Sequence, residues 1–141
     1  MSTLIEKLDE TVAFIKEKIG KTPTIGVVLG SGLGEFADSL EDKVEISYQD
    51  IPGFIKTTVI GHAGKLVIGS INGVQVAVMA GRNHAYEGHD FDDVVYPVRV
   101  LGRLGCEKVI LTNAAGGINT NRIAQCCPFG QARINALRQP Q

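Results

Sequence analysis

The chain has 141 residues, of which 44% are hydrophobic, and a formal net charge of −1. That length suits one domain, and so balanced a charge gives no electrostatic reason to expect a nucleic-acid partner. No run of 18 apolar residues occurs, which argues against a membrane partner, and the first twenty residues alternate charged and apolar positions, unlike a signal peptide.

Three cysteines, Cys106, Cys126 and Cys127, form no disulfide framework, so a reducing, cytoplasmic location is expected. The charge is unevenly placed. All 15 acidic residues precede residue 120, whereas the last 21 residues carry three arginines and no acid.

In chain order, residues 3–19 predict an amphipathic helix, with Leu4, Leu8, Val12, Ile15 and Ile19 on one face. Thr3 and Glu6 have capping-box spacing, and Gly20 with Pro23 closes the segment. "TIGVVLG" (24–30) reads as a strand buried on both faces. "GSGLGEFADSL" (30–40) reads as a glycine turn followed by a short helix. Residues 65–80 read as two strands joined at Asn72-Gly73, a dipeptide suited to a type I′ turn.

Asp90 is placed to cap a helix over 91–104, buried through Phe91, Val94, Val95, Val98 and Leu101, with Pro97 as an interruption or kink. "EKVILTNAAGG" (107–117) reads as a second buried strand ending in a glycine turn. Strands and helices alternate, and the glycine turns follow the strands. The fold class expected is therefore α/β, with ligands at the carboxyl ends of the strands.

Four stretches carry residues suited to chemistry. In "GSGLGE" (30–35) the glycines expose backbone N–H groups, Ser31 adds a hydroxyl, and a helix N-terminus follows, which together could cradle an anion. The same stretch also reads as a tight turn with no ligand. Its third glycine is one residue early for the dinucleotide fingerprint, and no Walker lysine follows.

In "GRNHAYEGHD" (81–90), Arg82 and His84 share a side if the strand continues, so both could face one oxyanion, and Tyr86 could reach a sugar hydroxyl. A metal on His84, Glu87 and His89 is the competing reading, but this spacing fits neither common zinc-protease pattern. A surface turn with Arg82 in a structural ion pair is another alternative. In "TNAAGG" (112–117) small residues let a ligand approach the backbone, making the N–H of Ala114 a candidate donor; the stretch equally suits a turn packed on a helix. His62, between Gly61 and Gly64, could swing over an anion from a mobile loop or simply face solvent.

Taken together, "GSGLG", "IPGF", "GHAGKL", "GRNHAYEG", "YPVRVL" and "LTNAAGGIN" resemble the trimeric type of purine nucleoside phosphorylase, in order and spacing, over residues from about 20 to 119. The methylthioadenosine phosphorylases fit these stretches less well. The resemblance implies phosphorolysis of the N-glycosidic bond of purine ribonucleosides or deoxyribonucleosides, giving free purine and a pentose 1-phosphate. Ser31, His62, Arg82, His84 and the backbone N–H of Ala114 match phosphate-binding positions, and Tyr86 matches a ribose contact. Glu87 matches a supporting carboxylate, and with His84 it forms the expected catalytic pair.

Inorganic phosphate would be the co-substrate, with no metal or organic cofactor, and the family assembles as a homotrimer. The implied fold is the N-terminal part of a single-domain nucleoside phosphorylase, with a mixed central sheet flanked by helices. On this reading residues 1–120 are a partial domain. Residues 121–141 are expected to be a divergent tail, disordered or translated in a shifted frame. The base-binding residues of the family have no counterpart here, so the chain by itself is expected to be inactive. The alternatives are a non-catalytic fragment or a Rossmann-like nucleotide-binding module.

Overall fold

The computed structural model describes residues 3–30, 32–55, 64–81 and 88–112. The expected boundary near residue 120 and the segment 121–141 lie outside them. Helix α1 spans Leu4–Lys18 and opens on the expected capping box: the Thr3 hydroxyl accepts from the Glu6 N–H, and the Glu6 carboxylate accepts from the Thr3 N–H. Leu8, Val12 and Ile15 are buried as the periodicity requires, whereas Leu4 is exposed.

Strand β1 (Ile25–Leu29) follows, then a short helix α2 (Gly34–Asp38), strand β2 (Glu41–Ser47) and a 3-10 turn over Tyr48–Asp50. Strands β3 (Lys65–Ile71) and β4 (Val74–Ala80) form the predicted hairpin. Asn72 and Gly73, at φ 48° and 79°, supply the left-handed pair that a type I′ turn needs. Helix α3 (Phe91–Leu104) and strand β5 (Lys108–Leu111) complete the described elements.

The five strands form one mixed sheet in the order β2-β3-β4-β1-β5. β1 runs parallel to β4 and β5, and β3 runs antiparallel to both β2 and β4. The expected α/β class with a mixed sheet and flanking helices is thus the one observed.

Side chains alternate across the sheet, so each inner strand feeds two cores. Val28, Leu66, Ile68, Ala77 and Met79 pack with α1 and α3 residues such as Val12, Ile15, Val100 and Leu104. Val27, Leu29, Val67, Val76 and Val78 face the other way, with Ala37 of α2 and Leu40.

Three readings change. Leu101 is buried as expected, but Phe91 is 76% exposed, Val94, Val95 and Val98 are only partly buried, and α3 also buries Tyr96, Val100 and Leu104. Tyr96, whose hydroxyl makes it read as a surface residue, belongs to the core. Asp90 occupies the N-cap position with its carbonyl accepting from Asp93 and Val94, but its side chain makes no cap hydrogen bond. β5 is partly rather than fully buried, since it borders the sheet among the described strands.

Pro97 sits inside α3, which runs through it. The carbonyl deprived of a partner is that of Asp93, an exposed residue, where water can satisfy it. β2 has no clear sequence signature. Among the described strands it lies at the edge, with a register shift between Glu41 and Val44, and charged side chains dominate it.

A buried polar link ties the helical layer to the loop after β2. Thr11, fully buried, lies 2.8 Å from the Pro52 carbonyl, 2.9 Å from the Lys7 carbonyl and 2.7 Å from the Tyr96 hydroxyl. A threonine hydroxyl has one hydrogen, which goes to a carbonyl, so Tyr96 donates to Thr11. Phe54 stacks edge-on against Tyr96 and tilted against Tyr48, at centroid separations of 6.2 and 5.1 Å. A bidentate ion pair, Arg103 to Asp9 at 2.7 and 3.1 Å, joins the exposed sides of α3 and α1.

Two outcomes follow from this packing. Thr11→Val keeps the shape but leaves the Pro52 carbonyl and the Tyr96 hydroxyl without their partner, so it should destabilise by about 1–3 kcal/mol. A thermal melt should show Tm lowered by several degrees, and an unchanged Tm would refute the link. Burial pushes the Cys106 thiol up to about 11. In a Cys126→Ser, Cys127→Ser background, alkylation of Cys106 at pH 8 should run about a hundredfold slower than for a free thiol, because so little thiolate is present. Alkylation at the free-thiol rate would contradict its burial.

Candidate functional site

The parallel pairings align three strand ends. Leu29 of β1 lies opposite Ala80 of β4, and Val28 of β1 lies opposite Leu111 of β5. Because β3 is antiparallel to β4, with Lys65 opposite Ala80, the chain arrives at β3 on this same edge, through Gly64. Gly30, Gly64, Gly81 and Thr112 therefore stand along one rim of the sheet, on four adjacent strands. At about 4.8 Å between neighbouring strands, they span roughly 14 Å. That width matches a small anion with a sugar beside it.

Two buried hydroxyls fasten this rim. Thr112 is 5% exposed. Its N–H donates to the Val28 carbonyl at 3.1 Å, extending the β1–β5 ladder by one residue. Its hydroxyl donates to the same carbonyl at 2.9 Å and accepts the Gly30 N–H at 2.7 Å. One side chain thus joins the end of β5 to the turn leaving β1. Gly32, at φ 84°, completes the tight exit there.

The second hydroxyl belongs to Tyr48, 3% exposed, in the turn after β2. Its backbone N–H donates to the Gly64 carbonyl at 3.0 Å, and its phenol donates to the Gly81 carbonyl at 2.9 Å. Gly64 lies directly under the Tyr48 ring, so any side chain at 64 would collide with the ring carbons. A side chain at Gly81, where φ is 108°, would meet the Gly64 backbone at 3.2 Å. Gly64 is therefore required by packing, while the loop before it, with Gly61 and His62, lies outside the described residues. Burial raises the Tyr48 pKa well above that of a free phenol, so the group remains a neutral donor across the physiological range.

The residues expected at the site, Ser31, His62, Arg82, His84, Tyr86, Glu87 and Ala114, lie outside the described residues. Their described neighbours do not. Ser31 falls between Gly30 and Gly32, His62 two positions before Gly64, Arg82–Glu87 between Gly81 and Gly88, and Ala114 two positions after Thr112. The fold thus brings the roots of all four stretches to one rim.

Tyr48 and Thr112 were not singled out from the sequence. Thr112 stood within a recognised motif, but nothing local announced that its hydroxyl bridges two strands. Among the described residues no group of three or more His, Cys, Asp or Glu is arranged to hold a metal. No helix among them is long and apolar enough to cross a membrane.

Comparison with known proteins agrees with this arrangement. The family model of the Phosphorylase superfamily matches residues 24–123. Purine nucleoside phosphorylase 1 of Bacillus subtilis is 50% identical over 115 residues, covering 82% of this chain and 42% of the relative. Purine nucleoside phosphorylase 1 of Geobacillus stearothermophilus is 53% identical over 112 residues, covering 79% and 41%. The crystal structure of Schistosoma mansoni purine nucleoside phosphorylase in complex with inosine superimposes with a TM-score of 0.77 at 41% identity, over 84% of this chain and 42% of that one. The chain spans about two fifths of the length of the curated relatives it matches.

The Thr112 bridge can be tested directly. In Thr112→Val the Gly30 amide loses its acceptor, and its hydrogen exchange should accelerate at least about tenfold, with a stability loss of ~1–2 kcal/mol. Thr112→Ser should restore protection. Equal Gly30 protection in the valine variant would show that the bridge does not hold the turn.

Proposed function

Because the chain belongs to the Phosphorylase superfamily, we propose that it serves the phosphorolysis of purine nucleosides and supplies the phosphate- and ribose-facing side of that site. The observation that carries the reading is the common rim. Four sequence stretches, far apart in the chain, have their roots in register on adjacent strands, and each contains a residue type that binds a dianion or a sugar.

In this proposal Arg82 offers a planar fork to two phosphate oxygens, while Ser31, His62, His84 and the Ala114 N–H complete the phosphate's hydrogen bonds. Tyr86 binds the ribose, and Glu87 supports His84. The phosphate oxygen forms a bond to C1′ as the bond from C1′ to the purine nitrogen breaks. The electron pair leaves with the purine, which is protonated on release. The sugar passes through an oxocarbenium-like state, and a dianion held beside it both stabilises and captures that cation. Inorganic phosphate is then the co-substrate and no cofactor enters the step. A cytoplasmic location and a homotrimer belong to the same proposal for the whole protein.

The topology counts against the Rossmann-like alternative. A dinucleotide-binding unit runs from its first strand through a helix into an adjacent parallel strand. Here the chain leaves β1 through α2 for β2, at the far edge of the sheet, and returns through an antiparallel hairpin.

Titration calorimetry of the purified chain with inorganic phosphate and with ribose 1-phosphate tests the proposal. Both should bind, and NAD should not. Arg82→Ala should weaken phosphate about a hundredfold, the loss of two charge-assisted hydrogen bonds worth together ~3 kcal/mol. Absence of phosphate binding by the folded chain, or an affinity unmoved by Arg82→Ala, would overturn the assignment.

A further inference from the structure

We infer that Tyr48 is a positioning residue for the phosphate-binding site, setting through its buried phenol the root of the segment that carries Arg82 and His84. The inference rests on the phosphate reading above for its functional meaning, and on the hydrogen bonds for its physical content.

Tyr48 reaches the rim from outside the four stretches, on the turn that follows β2. Its N–H fixes the carbonyl of Gly64, and its phenol fixes the carbonyl of Gly81. The Gly81 carbonyl belongs to the peptide group through which the chain passes into Arg82. A peptide group is planar, so restraining its oxygen restrains the direction in which the next residue departs. The Gly64 carbonyl belongs to the peptide group leading into Lys65, so that bond anchors the start of β3 beneath the same residue. Gly81 lies against Gly64, which sits under the tyrosine ring; a side chain at 64 would collide with the ring, and one at 81 would crowd the Gly64 backbone at 3.2 Å.

Behind the ring, Phe54 packs at 5.1 Å, and Phe54 in turn packs against Tyr96. The phenol is thereby held from the hydrophobic core, which makes it a rigid support. Its oxygen is buried and donates to a backbone carbonyl 33 residues away in sequence, an arrangement that packing alone would not need. A phenylalanine would fill the same volume.

The test is Tyr48→Phe, which keeps the ring over Gly64 and removes only the donor to Gly81. Val12→Ala, a core truncation on α1, serves as a stability control away from the rim. Phosphate affinity, measured by calorimetry below each variant's melting range, should fall about three- to tenfold in Tyr48→Phe and stay unchanged in Val12→Ala. Equal affinities in Tyr48→Phe and the unsubstituted chain, or equal losses in both variants, would overturn the inference and leave a merely structural tyrosine.

If the unsubstituted chain binds no phosphate, the functional reading fails by itself, and hydrogen exchange decides the positioning role. Exchange in peptides covering 81–88 should accelerate in Tyr48→Phe and not in Val12→Ala, and unchanged exchange would refute it. If Tyr48→Phe does not fold, the unsubstituted chain with carbon-13 at the tyrosine Cζ positions gives the answer. Saturating phosphate should shift the Tyr48 resonance and leave that of Tyr96 in place; an unmoved Tyr48 resonance would count against the role.

Discussion

The register of β1 between β4 and β5 is the constraint from which the rest of the candidate site hangs. With Leu29 opposite Ala80 and Val28 opposite Leu111, three parallel strands end within a residue of one another. A slip of one residue in either pairing would turn an entire face of β4 or β5 to the wrong side. Val76 and Val78 would then leave the core they share with Val27 and Leu29. Burial of β-branched side chains on both faces thus fixes the alignment of the strand ends, and the rim follows from it.

Hydrophobic register sets where the strands stop, but it does not orient the backbone beyond them. Two hydroxyls do that. Thr112 joins the exits of β5 and β1, and Tyr48 joins the start of β3 to the exit of β4. Each is buried and each meets a backbone group that the ladder leaves over at a strand end. Buried backbone groups need partners, and these hydroxyls supply them where the ladder ends. Side-chain hydroxyls there keep the exits rigid, as the proposed anion site would require, since donors must already be aimed when the charge arrives.

The support runs deeper than the rim. Tyr48, Phe54, Tyr96 and Thr11 form a continuous path from the rim to the inner side of α1. Two of the sequence landmarks, "IPGF" and "YPVRVL", lie on this path. Their place in the fold is to brace the sheet from the helical side, through Pro52, Phe54 and Tyr96, while the glycine-bearing stretches border the rim.

The sequence by itself determined the local elements whose signals are short in range: the capping box at Thr3 and Glu6, the Asn72-Gly73 turn, the buried run of β1 and the extent of α3. It also marked the stretches that border the rim, because glycines beside an arginine, a histidine or a hydroxyl form patterns readable without coordinates. Tertiary structure decided what depends on partners distant in the chain. Tyr96 is buried with its hydroxyl satisfied by Thr11, 85 residues earlier in the chain. β2 forms although its sequence is mostly charged, because β3 offers a free edge. Gly64 reads as a flexible residue until the Tyr48 ring is seen lying over it. A glycine needed for motion and one needed for close contact are the same letter, and only the neighbour that occupies the missing side chain's place tells them apart.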